Sequence, residues 1–367
     1  MHPLARLPEE WRETLLSRQE RPYRAQQIFR WIHARGVLDP EQMTDVPAPL
    51  RGWLATEGMA EVATVESVLR SSDATRKLLL RMVDGATVET VLIPAPGAGD
   101  DADSAVADDD EPGPRVTQCI STQVGCAMGC IFCASGVAGL KRHLSPHEIV
   151  TQVLLGKKAL EPGEELRNVV LMGMGEPLHN YEATARALRL LSHPLGLNLS
   201  PRRITVSTSG LVPEIARLGR DFAGQIGLAI SLHATDDETR SRLMPINRKY
   251  PLAELLAALK AYPLPKRRRI FIEYTLVAGK NDTLPEASKL ARLLRDLPVK
   301  INLIPMNPIE ASPLGAPPLD RVYAFQQCLI DAGYTCFVRR RRGDDVGAAC
   351  GQLALLGAKP RVKVNRA

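Results

Sequence analysis

The sequence predicts an α/β fold: a partial parallel βα barrel with a small helical N-terminal domain and a β-hairpin extension. Three observations predict it. From residue 115 onward, short and nearly all-apolar runs alternate with helix-like stretches, as expected when crossover helices cover both faces of a parallel sheet. Before residue 115 the spacing is first helical and then strand–turn–strand. A cysteine-rich stretch at 126–133 follows the first barrel strand, and such folds gather their chemistry at the carboxyl ends of strands.

The elements follow in order. Residues 1–58 read as a helical module: Trp11, Leu15 and Leu16 have helical spacing, as do Ile28, Phe29 and Ile32 after the Pro22-Tyr23 break. Strands at 77–83 and 86–93 flank Asp84-Gly85, a strong tight-turn signal. Segment 94–115 is rich in Pro, Gly, Ala and Asp and cannot bury enough apolar surface to offset its ordering entropy, so it is expected to be a mobile surface loop. Barrel strands are expected at 115–121, 168–172, 203–207, 226–231, 270–276, 300–304 and 335–338. Helices are expected near 146–160, 181–193, 212–220, 236–243, 251–261, 284–296 and 319–332. The division is thus 1–58 helical, 59–114 hairpin and acidic loop, 115–350 core barrel, and 351–367 a basic tail.

A length of 367 residues suits about two domains. No uncharged apolar run approaches the ~20 residues that span a bilayer, and residues 1–20 lack a signal-peptide core, so a cytoplasmic location without a membrane partner is expected. Net charge is +6, but 94–115 holds seven acids and one base; +6 overall less −6 in that segment leaves +12 elsewhere. Basic runs stand at Lys266-Arg267-Arg268-Arg269, at 339–342 and at 359–366. Such a surplus suits a polyphosphate partner, although solvated surface charge gives the same composition.

Cys126-Ala-Met-Gly-Cys130-Ile-Phe-Cys133 spaces three thiols at intervals of four and three just after a strand. A loop of this kind can wrap three thiolates around one face of a cubane iron–sulfur cluster and leave one iron open for a ligand. The rival reading is a structural zinc site with Cys119 as fourth ligand. The CxxxCxxC count and the aromatic Phe132 favour the cluster. Met172-Gly173-Met174-Gly175-Glu176-Pro177 ends another strand. Its glycines allow close ligand approach and Glu176 can face an ammonium, although an ordinary strand-to-helix turn reads the same way.

These stretches resemble the RlmN family within the radical S-adenosylmethionine (SAM) superfamily. The resemblance rests on Gln118-Cys119-Ile120-Ser121-Thr122-Gln123-Val124-Gly125-Cys126 and on the Met172 to Pro177 motif. It extends through Ser207-Thr208-Ser209-Gly210, Ser231-Leu232-His233-Ala234, Ile301-Asn302-Leu303-Ile304-Pro305, Arg342-Gly343-Asp344-Asp345 and Ala348-Ala349-Cys350-Gly351-Gln352-Leu353. It covers nearly the whole chain, in the family's order, and is weakest at the amino terminus.

The resemblance implies a 4Fe–4S cluster on Cys126, Cys130 and Cys133, and SAM contacts at Gly175, Glu176, Ser207, Ser231, Leu232, His233 and Asn307. Cys350 would accept a methyl group from one SAM, and a second SAM would generate a radical. Cys119 would be the later disulfide partner of Cys350, and Glu89 the base that removes the ring proton. Taken without the family, a lone cysteine is ordinarily a small buried hydrophobe, the reading kept for Cys328 and Cys336. Glu89 would likewise pass for an exposed strand carboxylate.

The implied reaction is methylation of C2 of an adenine in 23S rRNA, with tRNA a further substrate and an electron donor such as flavodoxin or ferredoxin as partner. The 1–58 module would be an accessory RNA-binding domain. Alternatives are Cfr-like methylation at C8, disfavoured by the Arg342 to Asp345 stretch, and a non-catalytic RNA-binding protein with a structural metal. One departure is local: Gly347 stands where the family commonly has an acidic residue.

Overall fold

The fold is described from a computed structural model covering residues 1–57, 59, 62–95, 115–310 and 312–353. Its strands are β1 (Ala63–Arg70), β2 (Arg76–Met82), β3 (Thr87–Pro94), β4 (Arg115–Cys119), β5 (Gln123–Val124), β6 (Arg142–His143), β7 (Glu165–Leu171), β8 (Ile204–Thr208), β9 (Gly227–Ser231), β10 (Ile270–Leu276), β11 (Val299–Pro305) and β12 (Cys336–Val338). Its helices are α1 (Pro8–Ser17), α2 (Arg24–Phe29), α3 (Ala48–Thr56), α4 (Ala134–Ala138), α5 (Pro146–Lys158), α6 (Tyr181–Ser192), α7 (Val212–Phe222), α8 (Asp237–Leu243), α9 (Leu252–Lys260), α10 (Leu284–Leu293) and α11 (Leu319–Asp331).

One ten-stranded sheet runs β1-β2-β3-β4-β7-β8-β9-β10-β11-β12. From β4 to β12 every neighbour is parallel, and helices fill the crossovers: this is the partial barrel. Its strands are apolar because both faces are covered; Val169, Val170, Ile204, Val206, Leu228, Ile230, Ile272, Ile301 and Leu303 are all buried. Capping side chains mark where crossover helices start. Ser145 and Glu148 form a capping box on α5, and Asp236 and Thr283 cap α8 and α10. At the other end the hairpin extends the sheet antiparallel through β1, β2 and β3 onto β4.

The register of that extension matters. Lys77 pairs with Val91, Leu79 with Glu89, and Val91 with Cys119. Side chains two residues apart share a face, so Lys77, Glu89 and Cys119 stand on one face of the sheet. The opposite face of β2 carries Arg76, Leu78 and Leu80, all buried. There Arg76 pairs with Glu164 at 2.6 Å.

Each expected strand and each expected helix from 146 onward has a counterpart shifted by at most a few residues. Strand β1 is an element that the sequence reading does not contain. Only Ala63 in it is buried, so as an edge strand it lacks the alternation that marks a half-buried one. The acidic segment joins Pro94 to Arg115, and its residues 96–114 lie outside the described ones, as does the basic run at 359–366. No helix among the described residues is long and apolar enough to cross a membrane.

The helical module shares its core with the barrel through Leu4, Trp11, Leu15, Ile28 and Phe29. Arg186 on α6 reaches into it, donating to the Ala5 carbonyl at 2.8 Å and pairing with Glu10. His33 is buried at this seam, its ring against Phe29, whose other neighbour is the His193 ring, and neither of its ring nitrogens has a hydrogen-bond partner among the described residues. Burial, helped by His193, holds its pKa down from 6.5 to about 3. The unfolded chain therefore takes up a proton that the fold refuses. The contribution is complete above pH 6.5 and is lost as pH falls from there toward 3, at up to about 1.4 kcal/mol per pH unit. Urea unfolding between pH 7.5 and 5 should show stability falling with pH. The variant His33→Leu should reduce that slope, leaving the part that His147 and His233 supply, and an unchanged slope would refute the assignment.

Candidate active site

The site lies at the carboxyl ends of the parallel strands. Strand β4 ends at Cys119, and after the short β5 the chain turns through Cys126, Cys130 and Cys133 into α4. The loop is held from two sides: Ile131 N–H donates to the Leu243 carbonyl at 3.2 Å and Ala134 N–H to the Gly351 carbonyl at 2.8 Å. The second bond, with Ser135 Oγ donating to the Leu353 carbonyl at 2.6 Å, ties the cysteine loop to the Cys350 segment more than 200 residues away.

One cavity is lined by Cys126, Cys130, Cys133, Gly175, Glu176, Ser207, Ser231, His233, Asn307 and Cys350. Three expected residues are outside its lining. Leu232 is fully buried, its N–H given to the Glu273 carbonyl at 3.0 Å and its own carbonyl accepting from Arg240. Glu89 and Cys119 stand on the adjoining sheet face. Glu89 is buried rather than exposed, with Lys77 Nζ 2.9 Å from Oε1.

Glu176 is turned toward backbone. Oε2 accepts from Ser209 N–H at 2.8 Å, Oε1 from Leu178 N–H at 3.2 Å, and its own N–H donates to Gln123 Oε1 at 2.8 Å. Burial pushes its pKa up despite these donors. Gly175 has φ +106 and a Cβ there would meet Gln123 within 3 Å, so glycine is required by both conformation and space. His233, at φ +59, sits in the left-handed region, an uncommon place for a non-glycine residue and one that recurs at functional sites. Its Nδ1 accepts from Thr275 N–H at 2.9 Å, which puts the proton on Nε2. Burial, then the charge of Arg240, lower its pKa to about 3, so the ring is neutral.

Sequence reasoning missed Arg240, Gln123 and Glu273. Arg240 is fully buried and donates to the carbonyls of Ser209, Ser231 and Leu232 and to Asn247 Oδ1, at 2.7–3.0 Å. It therefore fixes the loops after both β8 and β9. Nothing in Asp-Asp-Glu-Thr-Arg240 signals this. Glu273 carried a usable signal, a carboxylate inside the apolar run of β10. It is buried in the cavity wall, with Asn302 Nδ2 donating to Oε1 at 2.8 Å and Arg339 3.8 Å from Oε2.

All seven cysteines are free thiols, so the disulfide that Cys119 is expected to form later with Cys350 is not supported by the structure. Burial, then the charge of Cys350, push Cys119 up to about 12, and a protonated thiol does not exchange. Arg339 acts on it in the opposite direction.

Burial also raises the thiols of Cys126, Cys130 and Cys133, and at Cys126 and Cys130 the neighbouring thiols add to it. Three thiolates can therefore coexist here only around added positive charge, which an iron–sulfur cluster supplies. Among the described residues no three His, Cys, Asp or Glu side chains converge tightly enough for a single ion. Cys119, the candidate fourth zinc ligand, is absent from the cavity lining. The donor set fits a cluster.

Residues 120–294 match the Radical SAM superfamily, and residues 8–60 the ribosomal RNA large subunit methyltransferase N-terminal domain. The chain is 71% identical to the dual-specificity RNA methyltransferase RlmN of Sorangium cellulosum, over 99% of this chain and 98% of that protein. It is 47% identical to the protein of the same name from Geobacter sulfurreducens, over 94% of this chain and 89% of that one. The crystal structure of a radical SAM methyltransferase from Sphaerobacter thermophilus superposes with a TM-score of 0.87 at 45% identity, covering 95% of this chain and 98% of that one. With its cysteine loop, its strand-end cavity and these likenesses over nearly its full length, the chain belongs to the RlmN family, radical SAM enzymes that use a 4Fe–4S cluster and SAM.

Proposed function

We propose that this enzyme methylates C2 of an adenine in 23S rRNA, and the corresponding position in tRNA, by way of a methylated Cys350 and a covalent protein–RNA intermediate. The observation that carries the reading is the sharing of one cavity by Cys350 and the three loop cysteines. The name of the relatives, dual-specificity RNA methyltransferase, supports the substrate class. A cytoplasmic location and an electron donor of the flavodoxin or ferredoxin kind complete the proposal. The 1–58 module and the hairpin of 59–114 would be the RNA-side additions to the 115–350 core.

Cys126, Cys130 and Cys133 would hold the cluster, and the turns bearing Gly175, Glu176, Ser207, Ser231, Leu232, His233 and Asn307 would hold SAM. When bound, the cluster and SAM supply a methyl cation equivalent in one reaction and a carbon-centred radical in another. The remaining steps belong to this chain. Cys350 gives up its thiol proton and carries the methyl, with its carbonyl accepting from Asn307 Nδ2 at 2.9 Å. Once that methyl has given up one hydrogen atom to the radical and its carbon has bonded to the ring, the base is tethered through the Cys350 sulfur. Glu89 takes the ring proton, and the odd electron that radical addition leaves on the ring would return to the bound cluster, so that the adduct is again a closed-shell aromatic base. The Cys119 sulfur then attacks the Cys350 sulfur, the sulfur–carbon bond breaks, and the methylated base leaves after its carbon gains a proton. Cys119 must first shed its own proton, the direction in which Arg339 acts on it.

Two outcomes are expected. Replacing any one of Cys126, Cys130 and Cys133 with Ala should abolish the cluster; iron and sulfide assays after anaerobic reconstitution check this, and a full cluster with normal SAM cleavage would refute the ligand set. Cys119→Ala should stall with RNA bound to Cys350, seen as a nuclease-sensitive species on denaturing electrophoresis. Cys350→Ala and the double variant should give none. Normal turnover by Cys119→Ala, or an adduct persisting in the double variant, would overturn the mechanism.

A further inference from the structure

We propose that Lys77 is a positioning residue for proton removal: its ammonium holds the Glu89 carboxylate against the loop that carries Cys350. The inference rests on the reading of Glu89 as the base and adds to it a residue that no motif marks.

Lys77 lies on β2, and its side chain is only 12% exposed. Register puts it on the sheet face it shares with Glu89 and Cys119, opposite Val91, the residue that in turn pairs with Cys119. Its Nζ lies 2.9 Å from Glu89 Oε1, whose side chain is 8% exposed. A second bond runs from Nζ to the Gly347 carbonyl at 3.2 Å, three residues before Cys350. One cation therefore joins the base to the loop bearing the methyl acceptor.

The loop is anchored so that this bond has meaning. Asp73 Oδ2 accepts from Gly343 N–H at 3.0 Å, and Asp345 accepts from Ser71 Oγ at 2.5 Å and Ser72 N–H at 3.1 Å. The turn joining β1 to β2 thus docks the segment leading to Cys350, and Lys77 is the contact closest to the chemistry. Gly347 fits the same picture. It has φ +61, and a Cβ there would lie 3.5 Å from Lys77 Nζ.

Two physical reasons give the cation weight. An enclosed carboxylate is held in its charged form and in one place by the groups that pair with it, and Lys77 is a partner 2.9 Å away that also reaches the Cys350 loop. A base must also be held within hydrogen-bond reach of the proton it takes, and general base catalysis contributes about 10²–10⁴-fold.

The test uses the cluster-loaded full chain, SAM and a transcribed 23S rRNA fragment, with variants Lys77→Met, Lys77→Gln, Lys77→Arg and Glu89→Gln. Protein mass reads methylation of Cys350, which precedes any need for the base; methylated RNA reads the whole reaction. Lys77→Met and Lys77→Gln should methylate Cys350 normally and lower kcat for RNA methylation by about 100-fold, with KM for RNA within threefold. Lys77→Arg should recover to within about tenfold of the parent. Glu89→Gln should resemble Lys77→Met. Lys77→Met turning over within threefold of the parent while Glu89→Gln is inactive would overturn the role of Lys77 alone. A fully active Glu89→Gln would remove the base reading and this inference with it. Loss of Cys350 methylation in both Lys77→Met and Lys77→Gln would make Lys77 a structural residue and also overturn the proposal.

Discussion

Backbone groups that leave a parallel sheet at its carboxyl edge lose their ladder partners, and in a buried site each must find another. The arrangement of this active site follows from that requirement. Arg240 takes three carbonyls from the turns after β8 and β9, and Glu176 accepts two backbone N–H groups, one of them from the turn after β8. Gln123 accepts the Glu176 N–H itself. Asn281 Nδ2 donates to the carbonyls of His233 and Thr275, and His233 Nδ1 takes the Thr275 N–H. The result is a cavity whose walls are turns, yet whose turns are fixed to one another by buried side chains. A ligand then binds to a shape that exists before it arrives, which lowers the ordering cost of binding.

The same burial sets the charge balance. It pushes Cys126, Cys130, Cys133 and Glu176 toward their neutral forms, keeps His233 neutral, and lowers Arg240 to about 10. Desolvation opposes charge of either sign, and the protein alone does not fully offset it. A site in this condition favours an incoming positive centre, because a cation relieves the cost of ionising several groups at once. Metal binding and thiol deprotonation are therefore one coupled event here, and the thiols need not be pre-ionised.

Legibility in the sequence followed the locality of the interaction. The three loop cysteines lie within eight residues, so spacing alone exposed them. Gly175 and Glu176 sit on one turn at a strand end, but that turn alone reads as an ordinary strand-to-helix connection, and only resemblance marks it as a ligand site. Barrel strands were legible because two-sided burial makes them continuous apolar runs, while the edge strand β1, exposed beyond Ala63, carried no such mark. Arg240 and Gln123 bond to backbone atoms contributed by distant elements, and backbone partners leave no trace in residue identity. Glu89 is the intermediate case. As a residue it looked like a solvent-facing strand carboxylate, and only resemblance singled it out. Its burial depends on a ladder of pairings with β2 and β4 that the sequence does not state.

If Glu89 is the base, as proposed, that ladder makes the hairpin part of the active site. Side chains alternate between faces at every residue, so a slip of one position between β3 and β4 would carry Glu89 to the face away from Cys119. Register is strongly specified only where something penalises the slip. Here the back face supplies the penalty: Arg76, Leu78, Leu80 and Val88 are buried there, and a slip would expose them and break the Arg76–Glu164 pair. Contacts at both turns add to it. Arg142 grips Asp84 at 2.7 Å at the β2–β3 turn, and the β1–β2 turn holds the 343–345 segment through Asp73 and Asp345. Residues on the opposite side of the sheet thereby keep Glu89, the proposed base, on the face it shares with Cys119.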